Sequence, residues 1–140
     1  MVDSWASSEH ARRTMRANRR KNTVPELRIR TMLHALGMRY RVDVAPIRGQ
    51  RRKADVVFTA ARIAVFIDGC FWHGCPEHFV LPKTNRGYWE EKIARNQKRD
   101  IETDRALIKA GWAVIRVWEH DDPARVVDRI RREWLTRRPE

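Results

Sequence analysis

The amino-acid sequence predicts an α/β fold, a mixed β-sheet of about four strands flanked by helices. Three observations predict it. Two apolar runs rich in β-branched residues, 54–59 and 63–68, flank a short turn, the signature of a hairpin. A long polar stretch with helical spacing, 88–110, then separates the hairpin from a further apolar run at 112–118. A strand reached through a helical crossover lies parallel to its neighbour, so the sheet is mixed. At 140 residues the chain is long enough for a single domain that buries a core without disulfides. The division expected is a basic N-terminal arm over 1–22 and one domain over 23–140.

The elements follow in order. Residues 9–21 form a short basic helix or arm. Thr23-Val24-Pro25-Glu26 reads as a capping box: the Thr23 hydroxyl accepts from the N3 amide and Glu26 reaches back. The helix so started runs to Leu36 and stops at Gly37. Met38, Tyr40, Val42 and Val44 alternate with Arg39, Arg41 and Asp43, a half-buried strand. A basic loop, 45–53, leads into the hairpin. The loop 69–87 holds two cysteines and two histidines. The helix over 88–110 turns Trp89, Ile93, Leu107 and Ile108 inward and ends at Gly111. After the strand 112–118, a helix over 123–135 opens on Pro123. There is no internal repeat.

Thirty Lys and Arg stand against 18 Asp and Glu, a formal charge of +12, and the excess sits at one end. Between His10 and Lys53 there are 14 basic residues against Glu26 and Asp43, so the rest of the chain is neutral. A one-ended basic segment is the footprint of a polyanion binder. Met15, Leu27, Met32, Leu33 and Leu36 are interspersed as in amphipathic helices, which argues against a disordered tail. No stretch approaches the ~18 apolar residues of a membrane span. No hydrophobic leader is visible in the first residues, so no membrane association and a cytoplasmic, nucleoid-associated location are expected. The two cysteines fit a reducing compartment.

Two aspartates end the hairpin strands. With the turn centred between Ala61 and Arg62, Asp55 faces Asp68 across the ladder, with Cβ atoms ~4.5–5.5 Å apart. Such a pair repels unless a cation lies between the two or one is protonated. A hard divalent cation, Mg²⁺ in particular, suits the oxygen ligands. Two acids on a hairpin, between a helix and a helix-strand unit, resemble the PD-(D/E)xK nuclease core, the fold of restriction endonucleases. Ala54 stands where that pattern has proline, and Cys70 where it has lysine.

Cys70, Cys75 and His78 have the spacing C-x4-C-x2-H, and His120 follows the last strand, whose parallel pairing brings it near. A Cys2His2 set suits a closed, tetrahedral, structural Zn²⁺ that would fold the 69–80 loop. Spacing leaves open which of His73, His78 and His120 bind metal. A Cys70–Cys75 disulfide and two idle thiols are the alternatives, disfavoured by redox compartment and by the neighbouring histidines. Phe71 and Trp72 lie in this polar loop, where stacking on a base explains them better than core packing. Trp112, Trp118 and Trp134 sit in or beside apolar runs and are expected in the core.

The run Asp68-Gly69-Cys70-Phe71-Trp72-His73, with Asp55 upstream and Tyr88-Trp89-Glu90-Glu91-Lys92-Ile93 downstream, resembles the very short patch repair (Vsr) endonucleases. The likeness extends from about Ala11 to Glu119 and takes in Met15-Arg16-Ala17, Asn96-Gln97-Lys98-Arg99-Asp100 and Val117-Trp118-Glu119. It implies a Mg²⁺-dependent enzyme with a structural zinc that nicks one strand of double-stranded DNA beside a T·G mismatch left by deaminated 5-methylcytosine. It implies roles as well. Asp55 and the Ile67 carbonyl hold Mg²⁺, joined by Asp68. His73 acts as base on the attacking water, Asp100 orients a histidine or a metal-bound water, and Glu26 is an acid near the site. Cys70, Cys75, His78 and His120 hold zinc. Phe71, Trp72 and Trp89 wedge into the base stack, and Met15 and Arg16 belong to an arm in the minor groove. The best-known members carry Thr-His where this chain has Ile67-Asp68, so a two-histidine mechanism does not transfer.

One active site is enough to nick one strand, so a monomer is expected, with mismatch-repair proteins as candidate partners. Two other readings compete: a nuclease of this fold with a restriction or phage-defence target, and a zinc-stabilised DNA-binding module without catalysis. The joint presence of Asp55, Asp68, His73 and Asp100 disfavours the module.

Overall fold

The computed structural model describes residues 23–69, 75 and 81–137. The basic arm, with Met15 and Arg16, lies outside the described residues, as do Cys70, Phe71, Trp72, His73 and His78.

Helix α1 spans Val24–Ala35, with Pro25 in its first turn and the Thr23 hydroxyl accepting from the Glu26 amide at 3.4 Å. The Glu26 carboxylate takes the Arg30 guanidinium at 3.2 Å, one turn along the helix. Leu36 caps the helix and Gly37 follows at φ +75°, the left-handed conformation that glycine adopts without steric cost.

Strand β1 is shorter than expected, Arg41–Val44; Met38 is buried just before it. Strands β2 (Ala54–Phe58) and β3 (Ile63–Asp68) form the hairpin. Helix α2, Arg86–Lys109, starts two residues before the expected position and carries the chain to β4, Ala113–Trp118. Helix α3, Pro123–Arg137, ends the described chain.

The sheet has the order β1-β2-β3-β4. The first three strands are an antiparallel meander, and β4 lies parallel to β3, from Ile63 opposite Ala113 to Asp68 opposite Trp118. The α/β class and the mixed four-stranded sheet are as the sequence predicts.

Both sheet faces are covered. On one, Ile29 and Leu33 of α1 and Val126, Val127 and Ile130 of α3 pack on Val56, Phe58, Ile63, Val65, Ile67, Ile115 and Val117. On the other, Leu107 and Trp112 pack on Val57, Ala64 and Phe66. Every residue of β3 is buried, as expected of a strand covered on both faces. Ile108, expected inward, is instead 62% exposed. The inner face of α2 is set by Trp89, Ile93, Asn96, Asp100, Thr103 and Leu107, which leaves Ile108 about 100° out of line. No helix among the described residues is long and apolar enough to cross a membrane.

The hairpin register also differs from expectation. Val56 pairs with Val65 and Phe58 with Ile63, which centres the turn between Ala60 and Ala61. Thr59 and Ala60 leave the ladder because Ala61 turns into the core and Arg62 takes a left-handed conformation, φ +57°. By extension Asp55 lies opposite Phe66, two positions short of Asp68, so the two aspartates are diagonal rather than facing neighbours.

Candidate active site

Antiparallel pairing puts the start of β2 beside the end of β3, and parallel pairing puts the end of β4 beside the same point. Asp55 and Asp68 therefore meet at one end of the sheet, where the first turn of α1 brings Glu26 and the middle of α2 brings Asp100. An open α/β sheet places its reactive groups at the carboxyl ends of its parallel strands.

Asp55 reaches across to β3, where its Oδ2 accepts from the Ile67 amide at 2.6 Å. Burial pushes its pKa up from 3.8 to about 8. The Ile67 hydrogen bond opposes the rise, while the charge of Glu26, a hydrogen bond shared with Glu26 and the charge of Asp68 add to it. Glu26 is itself only 1% exposed. Burial and the adjoining Glu26 carboxyl thus favour the neutral form of Asp55, as expected of an acid beside a like charge in a low-dielectric site.

Asp68 and Asp100 have their counter-charge in Arg116 of β4. Arg116 Nη1 donates to both Asp68 oxygens, at 2.8 and 3.0 Å, and lies 3.5 Å from Asp100 Oδ1. Its Nε and Nη2 donate to Asp104, the latter at 2.7 Å, and its guanidinium lies 4.2 Å from the centre of the Phe66 ring. Burial lowers the pKa of Arg116, but Asp104, Asp68 and Asp100 together outweigh it and hold the guanidinium charged. Arg52, from the basic loop, takes Asp100 at 3.0 Å.

Among the described residues no three acidic, cysteine or histidine side chains converge as a ready-made metal cage. Mg²⁺ seldom has one: it takes one or two carboxylates and keeps several waters. The buried Glu26–Asp55 pair is a donor set whose repulsion such a cation relieves, and the residues fit it.

A second cluster lies just beyond. Cys75 is 1% exposed and its Sγ lies 3.8 Å from His120 Nδ1. Two ligands of one tetrahedral zinc, with bonds of about 2.3 and 2.0 Å, stand about 3.6 Å apart. The pair fits one zinc, although two of the four expected ligands, Cys70 and His78, are outside the described residues.

Of the residues expected from the sequence, the structure brings Glu26, Asp55, Ile67, Asp68 and Asp100 to one end of the sheet, and Cys75 and His120 together beyond it. Trp89, assigned to the base stack by resemblance, is 2% exposed and packs edge-on against Tyr88 at 5.1 Å. The exposed ring is Tyr88, 48% accessible. Arg116, Arg52 and Asp104 were not singled out by the sequence reading. Arg116 could have been found: it is the one charge in the apolar strand Ala113–Trp118, and a charge in a buried strand demands partners.

Residues 3–78 match the family described as DNA mismatch endonuclease Vsr. The chain is 51% identical to the type II nicking enzyme V.NaeI of Lentzea aerocolonigenes over 79% of its length and 68% of the relative's. It is 40% identical to the type II nicking enzyme V.XorIIP of Xanthomonas oryzae pv. oryzae, over 81% and 82%. It is 35% identical to the DNA mismatch endonuclease Vsr of Escherichia coli K12, over 76% and 67%.

Proposed function

The chain belongs to the Vsr family of DNA mismatch endonucleases and is a DNA nicking endonuclease of that family; from this premise we propose that it nicks one strand at T·G mismatches, in very short patch repair of deaminated 5-methylcytosine, by Mg²⁺-dependent hydrolysis of a phosphodiester bond. The observation that carries the reading is the buried Glu26–Asp55 pair at the sheet end, with the Asp55 pKa near 8 and Asp68 and Asp100 beside it. A carboxylate pair this deep is costly to ionise without a cation, and a phosphoryl-transfer site needs one.

In this reading Asp55 and the Ile67 carbonyl would hold Mg²⁺, which would neutralise charge on the phosphate and on the leaving oxygen. His73 takes a proton from the attacking water as its oxygen bonds to phosphorus, and the leaving oxygen takes a proton from solvent water as its bond to phosphorus breaks. Asp100 orients groups around that water. Phe71 and Trp72 open the base stack, which a mismatched step permits at lower cost than a paired one, so the wedge contributes selectivity. Met15 and Arg16 grip the minor groove. Zn²⁺, on Cys70, Cys75, His78 and His120, folds the loop that carries the wedge and His73. The enzyme works as a monomer in the cytoplasm, in contact with mismatch-repair proteins.

The test is a nicking assay with Mg²⁺ on duplexes whose strands are labelled separately. The panel holds matched DNA, T·G in several contexts and the other mismatches. A nick confined to the thymine strand of T·G duplexes, lost in Asp55→Ala while DNA binding persists, is the expected result. Equal cleavage of matched DNA would reassign the target to restriction or defence. Binding without cleavage would reduce the protein to a DNA-binding module.

A further inference from the structure

The guanidinium of Arg116 is held on three sides. Both oxygens of Asp68 take its Nη1, at 2.8 and 3.0 Å, Asp104 takes its Nε and Nη2, and the Phe66 ring lies under its plane at 4.2 Å. This is a built unit rather than a surface ion pair: the side chains of Arg116 and Asp68 are 19% and 8% exposed. An arginine forked between two carboxylates and seated on an aromatic face has little freedom to swing away. Asp68 therefore meets a fixed cation on the side where both of its oxygens are engaged. The Glu26–Asp55 pair is held differently, by Arg30 at 3.2 Å from Glu26 and by the Ile67 amide at 2.6 Å from Asp55. Asp100 is tied to the same guanidinium at 3.5 Å and to Arg52 at 3.0 Å, which locks the middle of α2 to the ends of β3 and β4.

We infer that Arg116 is a positioning residue of the nicking site: it holds Asp68 as its counter-ion, outside the ligand set of the catalytic cation, and fixes Asp100 against the strand ends. Asp68, which stands where the best-known Vsr enzymes have a histidine, thus anchors an arginine. The inference rests on the cation reading above but is separable from it. Without Arg116, Asp68 and Asp104 lose that counter-charge while Asp100 keeps Arg52, so negative charge builds up beside Asp55. A divalent cation then binds more tightly and in the wrong place.

The experiment uses the zinc-loaded full-length chain, with Mn²⁺ binding followed by electron paramagnetic resonance and nicking titrated with Mg²⁺. Asp68→Asn is expected to weaken Mn²⁺ binding by about tenfold at most, the effect of one nearby charge, whereas Asp55→Asn loses binding. Arg116→Gln is expected to bind Mn²⁺ about tenfold more tightly, as removal of one nearby positive charge predicts, while the maximal nicking rate falls at least about tenfold. The double variant Asp68→Asn/Arg116→Gln is expected to return Mn²⁺ affinity towards the parent. A merely structural arginine would not tighten a metal. If Arg116→Gln does not fold, Arg116→Lys keeps the charge and loses the fork; it is expected to leave Mn²⁺ affinity unchanged and to slow nicking.

An Asp68→Asn variant that loses Mn²⁺ binding as completely as Asp55→Asn makes Asp68 a ligand and overturns the inference. So does an Arg116→Gln or Arg116→Lys variant that nicks at the parent rate. Failure of the parent to bind Mn²⁺ or to respond to Mg²⁺ would sink the cation reading instead. A double-variant cycle of thermal unfolding over Asp68→Asn, Arg116→Gln and the two combined then still decides the counter-ion role, which additive effects would refute.

Discussion

Replacing Asp55 by asparagine should make the magnesium-free protein more stable at alkaline pH while removing its nicking activity. The side-chain carboxyl is moved from 3.8 to about 8 in the fold. Each tenfold step in proton affinity is about 1.4 kcal/mol, so the preference of the fold for the neutral acid is at most about 6 kcal/mol. The opposing Ile67 hydrogen bond and the Glu26 carboxyl both remain in the variant, so the gain on substitution is smaller, on the order of 3 kcal/mol.

The sign is fixed by linkage. Between pH 4 and pH 8 the folded chain binds more protons at this site than the unfolded chain, so stability falls as pH rises through this window and is level above it. The contribution is fully present below the unfolded pKa and gone above the folded one. Asparagine abolishes the slope. Its oxygen still accepts from the Ile67 amide, and its NH₂ can donate to Glu26. The assay is thermal or urea unfolding of zinc-loaded parent and Asp55→Asn, without Mg²⁺, from pH 5 to pH 9. The variant should gain on the parent across the range and exceed it at pH 9 by about 3 kcal/mol, or about 10 °C in Tm for a domain of this size. Added Mg²⁺ should restore the parent at pH 9 and leave the variant unmoved. A variant no more stable than the parent at pH 9, or two parallel pH profiles, would refute the argument that Asp55 is an uncompensated buried acid.

Further outcomes are expected elsewhere in the molecule. Cys75→Ser should release zinc, measured by elemental analysis or a chromophoric chelator, and lower Tm sharply, because metal binding is coupled to folding; a full retained equivalent of zinc would overturn the ligand set. Leu33, fully buried between α1 and the sheet, should cost about 3–4 kcal/mol as Leu33→Ala in urea unfolding. A cost below about 1 kcal/mol would mean that the α1–sheet contact is looser than the packing implies.

Much of this chain was legible in its sequence because the information was local. The bounds of β3 follow from six consecutive apolar or strand-ending residues, and those of α1 from Thr23, Pro25 and Gly37, each of which acts on its own neighbours. The acids Glu26, Asp55, Asp68 and Asp100 were identified through residue type, position at element ends and family resemblance.

What the sequence by itself determined was which elements form, in what order, and which side chains are candidates for the chemistry. What only the tertiary structure decided was how those side chains are paired. The turn slipped because Ala61 found a place in the core, which moved Asp55 from opposite Asp68 to opposite Phe66. Ile108 turned outward because the inner face of a 24-residue helix is set by the sheet it crosses. Arg116, 48 positions from Asp68 in the chain, met it because β3 and β4 are parallel neighbours. The physical reason is the same in each case: helix and strand propensities are properties of a few adjacent residues, whereas the charge balance of a buried site depends on groups that approach only when the sheet closes.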